Sequence, residues 1–363
     1  MRQTPLLRKA RRGTTLLGAS GGGLTRAASA DTLGGVMSRL TLVLATLLAS
    51  TGLAAQKPRP PEQPRSGPGG SDYPHAKAAS SVHGNGVEQY WLFEPAEPTP
   101  KSAPLVVLNH GWMGMQPAVY LGWLHHLARR GNVVVFPKYQ DGPLTPAWTF
   151  TRNAIAAVKR AIEELKKPGH VAPDLERFAI VGHSAGGAIA ADMAALAAAK
   201  GLPRPRAVMI VQPGRGFRGD DSPFFPAADA SRVPKDALWL VVVGADDIVV
   251  GDATAKRIFR SVRHIPADNR DYVVVRTDRH GEPPLVADHI SPCAPLNPRQ
   301  LLLAQGCNAL DYYAYWKLFD ALTDAAFFGK NREFALGNTP QQRFMGAWSD
   351  GTPVVELLVT DEP

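Results

Sequence analysis

Cysteine is scarce in this sequence of 363 residues, which holds only Cys293 and Cys307. That excludes a small scaffold stapled by several disulfides and a cysteine-rich metal module. No Cys-x-x-Cys or His-x-x-x-His pair occurs either. The local spacing of a metal site is missing, so no metal is expected. Charged residues make up 20% and aromatics 8%, values of an ordinary globular chain and not of a solvated polyelectrolyte. No internal repeat or heptad pattern is visible, which excludes a solenoid and a coiled coil. The apolar run Leu40–Ala49 is too short for a stable membrane span.

What is present is enough apolar matter, 45% of the chain, to build a large core. The net charge of +8 is misleading. Seven basic residues and one acid lie before residue 56, which leaves 33 basic against 31 acidic residues after it. A body this close to neutrality has no field for steering polyanions, so no nucleic-acid partner is expected.

The N-terminus reads as targeting. Arg39, the run Leu40–Ala49 and the small residues Ser50 to Ala55 follow the order of a secretory signal peptide over 37–55, with Gln56 at the mature terminus. Residues 1–36 are then an extension before a start at Met37. The alternative is a start at Met1 with a weak twin-arginine leader, in which Arg11-Arg12 and Thr14–Leu24 end at Ala28-Ser29-Ala30. Either reading implies a secreted or periplasmic protein. Residues 56–80 are rich in proline and glycine and read as a linker. In an oxidising compartment, Cys293 and Cys307 are expected to form one disulfide, worth about 3 kcal/mol by loop entropy.

From residue 87 short apolar runs alternate with helical patterns. Val87–Phe93 is expected as an edge strand. Leu105–Leu108, Val133–Phe136, Phe178–Val181, Ala207–Val211, Leu238–Val243 and Tyr272–Val275 are further strands. Tyr120–Arg130, 147–166, Ala185–Lys200 and Asp311–Phe328 are helices. Such alternation predicts an α/β fold with a mostly parallel central sheet and helices on both faces. One domain is expected over 81–335, with residues 336–363 as a tail packed on it.

Between the strand Phe178–Val181 and the alanine-rich helix stands Gly182-His183-Ser184-Ala185-Gly186, followed by Gly187. Glycines flanking a serine in a strand–turn–helix context give a sharp, strained turn that lifts the hydroxyl above the sheet edge. The helix start then directs positive partial charge at the site.

With this motif the sequence resembles the α/β-hydrolase superfamily over about residues 87–330, in particular its secreted esterase, cutinase-like and dienelactone-hydrolase-like members. The resemblance implies Ser184 as nucleophile of a catalytic triad in chain order Ser, Asp, His. It implies an oxyanion hole from the backbone N–H groups of Trp112, in Asn109-His110-Gly111-Trp112, and of Ala185. It places the acid at Asp247 in Gly244-Ala245-Asp246-Asp247, with Asp246 as the competitor one position back. For the base it favours His280, nearest the last strand, over His289. No cofactor is implied. The reaction implied is hydrolysis of a small-molecule or polymeric ester through an acyl-enzyme. The stretch between Val211 and Leu238 is short for a lid, so an open cleft is expected. Pro223-Phe224-Phe225-Pro226 is read as its wall, and Trp112, Tyr139 and Trp148 as apolar lining. A peptidase or amidase, an acyltransferase and a non-catalytic binding protein on the same fold are the rival readings. Nothing in the sequence specifies an oligomeric state.

Overall fold

The structure, a computed structural model, describes residues 57–216, 220–297 and 306–363. The leader 1–36 and the signal segment 37–55 lie outside the described residues. Residues 57–363 form one compact unit.

Its centre is a nine-stranded sheet. In chain order the strands are β1 (Lys77–His83), β2 (Tyr90–Ala96), β3 (Ser102–Asn109), β4 (Val133–Pro137), β5 (Ala172–His183), β6 (Pro205–Val211), β7 (Leu238–Gly244), β8 (Arg270–Val275) and β9 (Leu358–Thr360). In space they run β1-β2-β4-β3-β5-β6-β7-β8-β9. The six strands from β4 to β8 in that order pair in parallel, and the outer strands β1, β2 and β9 pair antiparallel. The sheet is thus mostly parallel, as its unbroken Val, Ile and Leu runs require when both faces are covered.

Alternate residues of those runs feed two separate cores. Leu105, Val107, Ile180 and Val241 pack on one face with α2 (Phe150–Glu164), α3 (Ala185–Lys200) and α4 (Ala253–Ser261). Val106, Leu108, Val181 and Val242 pack on the other with α1 (Leu121–Arg129) and α5 (Lys317–Phe328), which continues a π-helical segment Asp311–Trp316. The period of two along a strand assigns each side chain to its face. From β3 the chain winds outward to β4, then crosses back over to β5. The strand order reverses between β3 and β5, and ligand crevices form at such a reversal, beyond the carboxyl ends of the strands.

Three expectations are corrected. The segment expected as a linker is built into the body. Pro58 carbonyl accepts Glu282 N–H at 2.8 Å, and Arg59 carbonyl accepts Ser349 N–H at 3.0 Å. Gly69 N–H donates to the buried Asp320 carboxylate at 2.8 Å. Proline-rich chain has few N–H donors to satisfy and little freedom to lose, so it can be laid down extended. The domain therefore begins at 57, not 81. It also reaches the C-terminus, because β9 completes the sheet and Trp348 is buried, its indole N–H donating to Asp278 at 3.0 Å. Val87–Phe93 is not the edge: β2 lies inside β1, which the composition of residues 56–80 concealed.

The expected disulfide is absent, and Cys293 and Cys307 are free thiols. Each fills its own niche at the start of α1. Cys293 is buried near Tyr120, whereas Cys307 Sγ stands where a side chain at Gly122 would be. Burial pushes both thiols up to about 12.

Candidate active site

Ser184 sits between β5 and α3 with φ 58° and ψ −125°. A non-glycine residue in this region is strained. The turn is closed by contact: a β-carbon at Gly182 would strike the Gly186 carbonyl, and one at Gly186 would strike the Asn109 and His110 carbonyls. Those two glycines let the helix start pack directly on the end of β3. Ser184 N–H is held by Val211 carbonyl at 2.9 Å, and its own carbonyl accepts Gly187 N–H at 2.9 Å and Gly214 N–H at 3.2 Å.

Three side chains meet above the sheet edge. His289 Nε2 is 3.0 Å from Ser184 Oγ, and His289 Nδ1 is 2.8 Å from Asp247 Oδ2. The second Asp247 oxygen accepts the N–H groups of Val249 and Val250 at 3.0 and 3.1 Å. Burial favours the neutral acid, but it is outweighed by the bonds from His289 and these two amides. The Asp247 carboxyl is held below its ordinary range and remains an anion beside the imidazole. A carboxylate can only accept, so His289 Nδ1 carries the proton and Nε2 presents its lone pair to the serine.

The favoured base, His280, is not in this group. Its Nε2 bonds Asp350 at 2.8 Å, and its ring lies 5.8 Å from that of Trp348. The reason is a detour after β8. Asp278 and Leu285 bridge antiparallel, which sends His280 out to the C-terminal segment and returns the chain at Ala287. There Ala287 carbonyl accepts Asp246 N–H at 3.0 Å, and the loop crosses the end of β7 with His289 facing Ser184. Asp246 points away, its carboxylate bonded to Thr277 and Arg279.

A second set of polar groups, which sequence reasoning missed, fixes this loop. His183 Nε2 lies 2.8 Å from His289 carbonyl, Tyr120 hydroxyl lies 2.7 Å from His183 Nδ1, and Gly111 N–H donates to Tyr120 oxygen at 2.9 Å. Burial, with the neighbouring His289 adding to it, pushes His183 down to about 3, so the ring has one proton. A carbonyl only accepts, which puts that proton on Nε2 and makes Nδ1 the acceptor of the Tyr120 O–H. Every donor and acceptor in this buried chain is thereby assigned. Gln212 Nε2 adds a bond to Asp288 carbonyl at 2.7 Å. The one available sequence signal was His183 itself, a polar residue at a position sealed under the turn.

The expected oxyanion donors lie on either side of the serine. Ala185 opens α3. Trp112 follows Gly111, whose β-carbon position would be 3.1 Å from Ser184 Cβ. The N–H groups flanking Trp112 are engaged, Gly111 with Tyr120 and Met113 with Gln140 Oε1 at 2.9 Å. The expected cleft wall is anchored from beneath. Arg215, buried, makes a two-pronged ion pair with Asp192 at 2.6 and 3.1 Å and donates to Pro226 carbonyl at 3.0 Å. Phe225 consequently packs inward, 5.7 Å from the Phe150 ring, while Phe224 faces solvent beside Trp148 at 6.4 Å. Tyr139 is fully buried and donates to His110 carbonyl at 2.7 Å, so it supports the loop and does not line a cleft.

Residues 107–255, from β3 to the start of α4, match the family described as alpha/beta hydrolase fold. No curated protein matches the chain. The sheet order, the flanking helices and that match together give the chain the α/β-hydrolase fold.

Tyr120→Phe removes the donor to His183 and the acceptor for Gly111 N–H in one step. Leaving such buried groups unpaired costs about 1–3 kcal/mol of stability. The expected outcome is a lowered urea midpoint of unfolding together with labelling of Ser184 by a fluorophosphonate slowed by about tenfold, equivalent to ~1.4 kcal/mol in the barrier. An unaltered labelling rate in a folded variant would show that the chain only packs.

Proposed function

We propose that this protein is a serine hydrolase that cleaves uncharged carboxylic esters through an acyl-enzyme. The observation that carries the reading is the continuous hydrogen-bonded line Asp247–His289–Ser184 at a strained turn above the sheet edge. In this reading His289 Nε2 takes the Ser184 proton as Oγ bonds to the substrate carbonyl carbon. The carbonyl oxygen gains the electron pair and is met by the Ala185 and Trp112 N–H groups. The C–O bond to the alcohol then breaks, and His289 returns the proton to the leaving oxygen. Water repeats the sequence on the acyl-enzyme and frees the acid. Asp247 stays ionised throughout and stabilises the imidazolium.

The surroundings favour uncharged substrates. Trp112 and Met113 after β3, Leu144 and Trp148 after β4, Phe224 after β6 and Ile248 after β7 are all exposed apolar side chains. Segments 109–128, 142–151, 222–228 and 248–251 contain no Asp, Glu, Lys or Arg. Apolar side chains concentrated on the loops around one serine suit a neutral acyl or alcohol group, small or polymeric. The reading includes export, on the signal-like order of residues 37–55.

The test uses the exported protein, N-terminally sequenced and then given neutral esters, esters with a charged acyl group, and matched amides. A terminus near Gln56 and fast turnover of neutral esters are expected, with turnover abolished in Ser184→Ala. A terminus near Asp31 would contradict the Met37 start. Equal turnover of amides would favour a peptidase, dominant transfer to added alcohol an acyltransferase, and no turnover by folded protein a binding role.

A further inference from the structure

We propose that Gln140 is a positioning residue that holds the turn bearing the Trp112 N–H in its working form. The inference rests on the ester-hydrolase reading, in which that N–H meets the developing oxyanion.

The turn stands against the serine, since a β-carbon at Gly111 would be 3.1 Å from Ser184 Cβ. Gly114 N–H donates to Gly111 carbonyl at 2.8 Å, which closes a β-turn with Trp112 and Met113 at its centre. Met113 has a φ of 65°, and the φ of Trp112 is not positive. That is the pattern of a type II turn, whose third position asks for glycine or asparagine. Methionine carries a β-carbon, so its left-handed backbone is strained. The Met113 side chain is 40% exposed, so no core packing forces the conformation.

A buried side-chain amide does. Gln140 lies just past β4 and is fully buried. Its Oε1 accepts Met113 N–H at 2.9 Å, and its Nε2 donates to Gly142 carbonyl at 3.3 Å. An N–H only donates and a carbonyl only accepts, so the amide has a single workable orientation. Turned over, it would set donor against donor and acceptor against acceptor. Methionine, of similar length, would supply neither bond. The support for Gln140 is itself fixed. Tyr139, the residue before it, stacks on the His110 ring at 4.0 Å, and Tyr139 carbonyl accepts Asn153 Nδ2–H at 3.1 Å.

The link to the reacting atoms runs through the adjoining peptide. Gly111 carbonyl and Trp112 N–H belong to the same trans peptide and point in opposite directions. Gly114 N–H holds that carbonyl, and His110 Nδ1 lies 2.6 Å from it. Closure of the turn therefore sets the direction of the Trp112 N–H. Released from Gln140, Met113 can return to an ordinary φ, which turns over the peptide between Trp112 and Met113. The turn then has a second form, and the Trp112 N–H loses its fixed aim. Gln140 bonds none of Ser184, His289 and Asp247, and acts through the turn.

The test compares wild type, Gln140→Met, Met113→Val and Gln140→Met combined with Met113→Gly. Each purified protein is timed for labelling of Ser184 by a fluorophosphonate. Each is also mixed with an alkyl trifluoromethyl ketone enriched in carbon-13 at the carbonyl. Ser184 Oγ bonds that carbon and its proton passes to His289, which leaves a hemiketal with its oxygen at the oxyanion position. The pH midpoint of hemiketal ionisation is read by NMR. Gln140→Met is expected to slow labelling about tenfold and to raise the midpoint by about one pH unit, the equivalent change. Met113→Val should shift both in the same direction, because a β-branched residue resists positive φ. Its exposed position lets it carry the test where Gln140→Met does not fold. Glycine takes that φ freely, so the combined variant should regain about threefold of the lost rate. A general loss of stability would not raise the midpoint. Wild-type rate and midpoint in folded Gln140→Met or in Met113→Val, or no recovery in the combined variant, would overturn the proposal and leave the triad reading standing. No hemiketal and no labelling in wild type would overturn both.

Discussion

The structure turns on one backbone conformation, that of Ser184. Its positive φ costs roughly 1–3 kcal/mol and has to be imposed by its surroundings. Val211 carbonyl, Gly187, Gly214 and the pressing of α3 onto β3 impose it. Each of those partners is the end of a parallel strand or the start of the following element, so the order of the sheet and the geometry of the serine are the same fact. The apolar strand runs build the sheet, and the sheet edge holds the turn.

Polar groups then do what apolar packing cannot. The sheet edge leaves the His289 loop free to take many paths, yet the carbonyls of Asp288 and His289 are each held by a buried side chain, Gln212 and His183. Buried hydrogen bonds of this kind have directions, and an unmade one is costly. They therefore select one path. Because His183 adjoins Ser184 and Tyr120 reaches Gly111, the same chain couples the Ser184 turn, the His289 loop and the loop bearing Trp112. Asp247 is handled similarly, with two amides and one imidazole keeping it charged against the effect of burial.

Much of this was legible in the sequence for definite reasons. The elbow was readable because only glycine at 182 and 186 tolerates the close approach, and α3 was readable to the residue because Gly201 ends it in a left-handed conformation. The position of Asp247 near Ser184 followed from its place just past β7. The histidine that stands beside Ser184 did not follow, because nearness to β8 in the chain was misleading. The bridge from Asp278 to Leu285 is tied to the C-terminal segment by the Trp348 indole N–H donating to Asp278, a contact that no local pattern encodes. Residues 57–72 were misjudged because proline and glycine describe a tether and an ordered strap equally well. The cysteines were misjudged because number and compartment say nothing about where each thiol packs.

The central claim is that Ser184 is activated by His289 and not by His280. Reaction with a fluorophosphonate probe, followed by mapping of the modified peptide, tests it most directly in wild type, His289→Ala and His280→Ala. The account predicts labelling at Ser184 in wild type and in His280→Ala, and labelling slowed by orders of magnitude in His289→Ala. Labelling that survives loss of His289 but not of His280, or that maps to another serine, would contradict it.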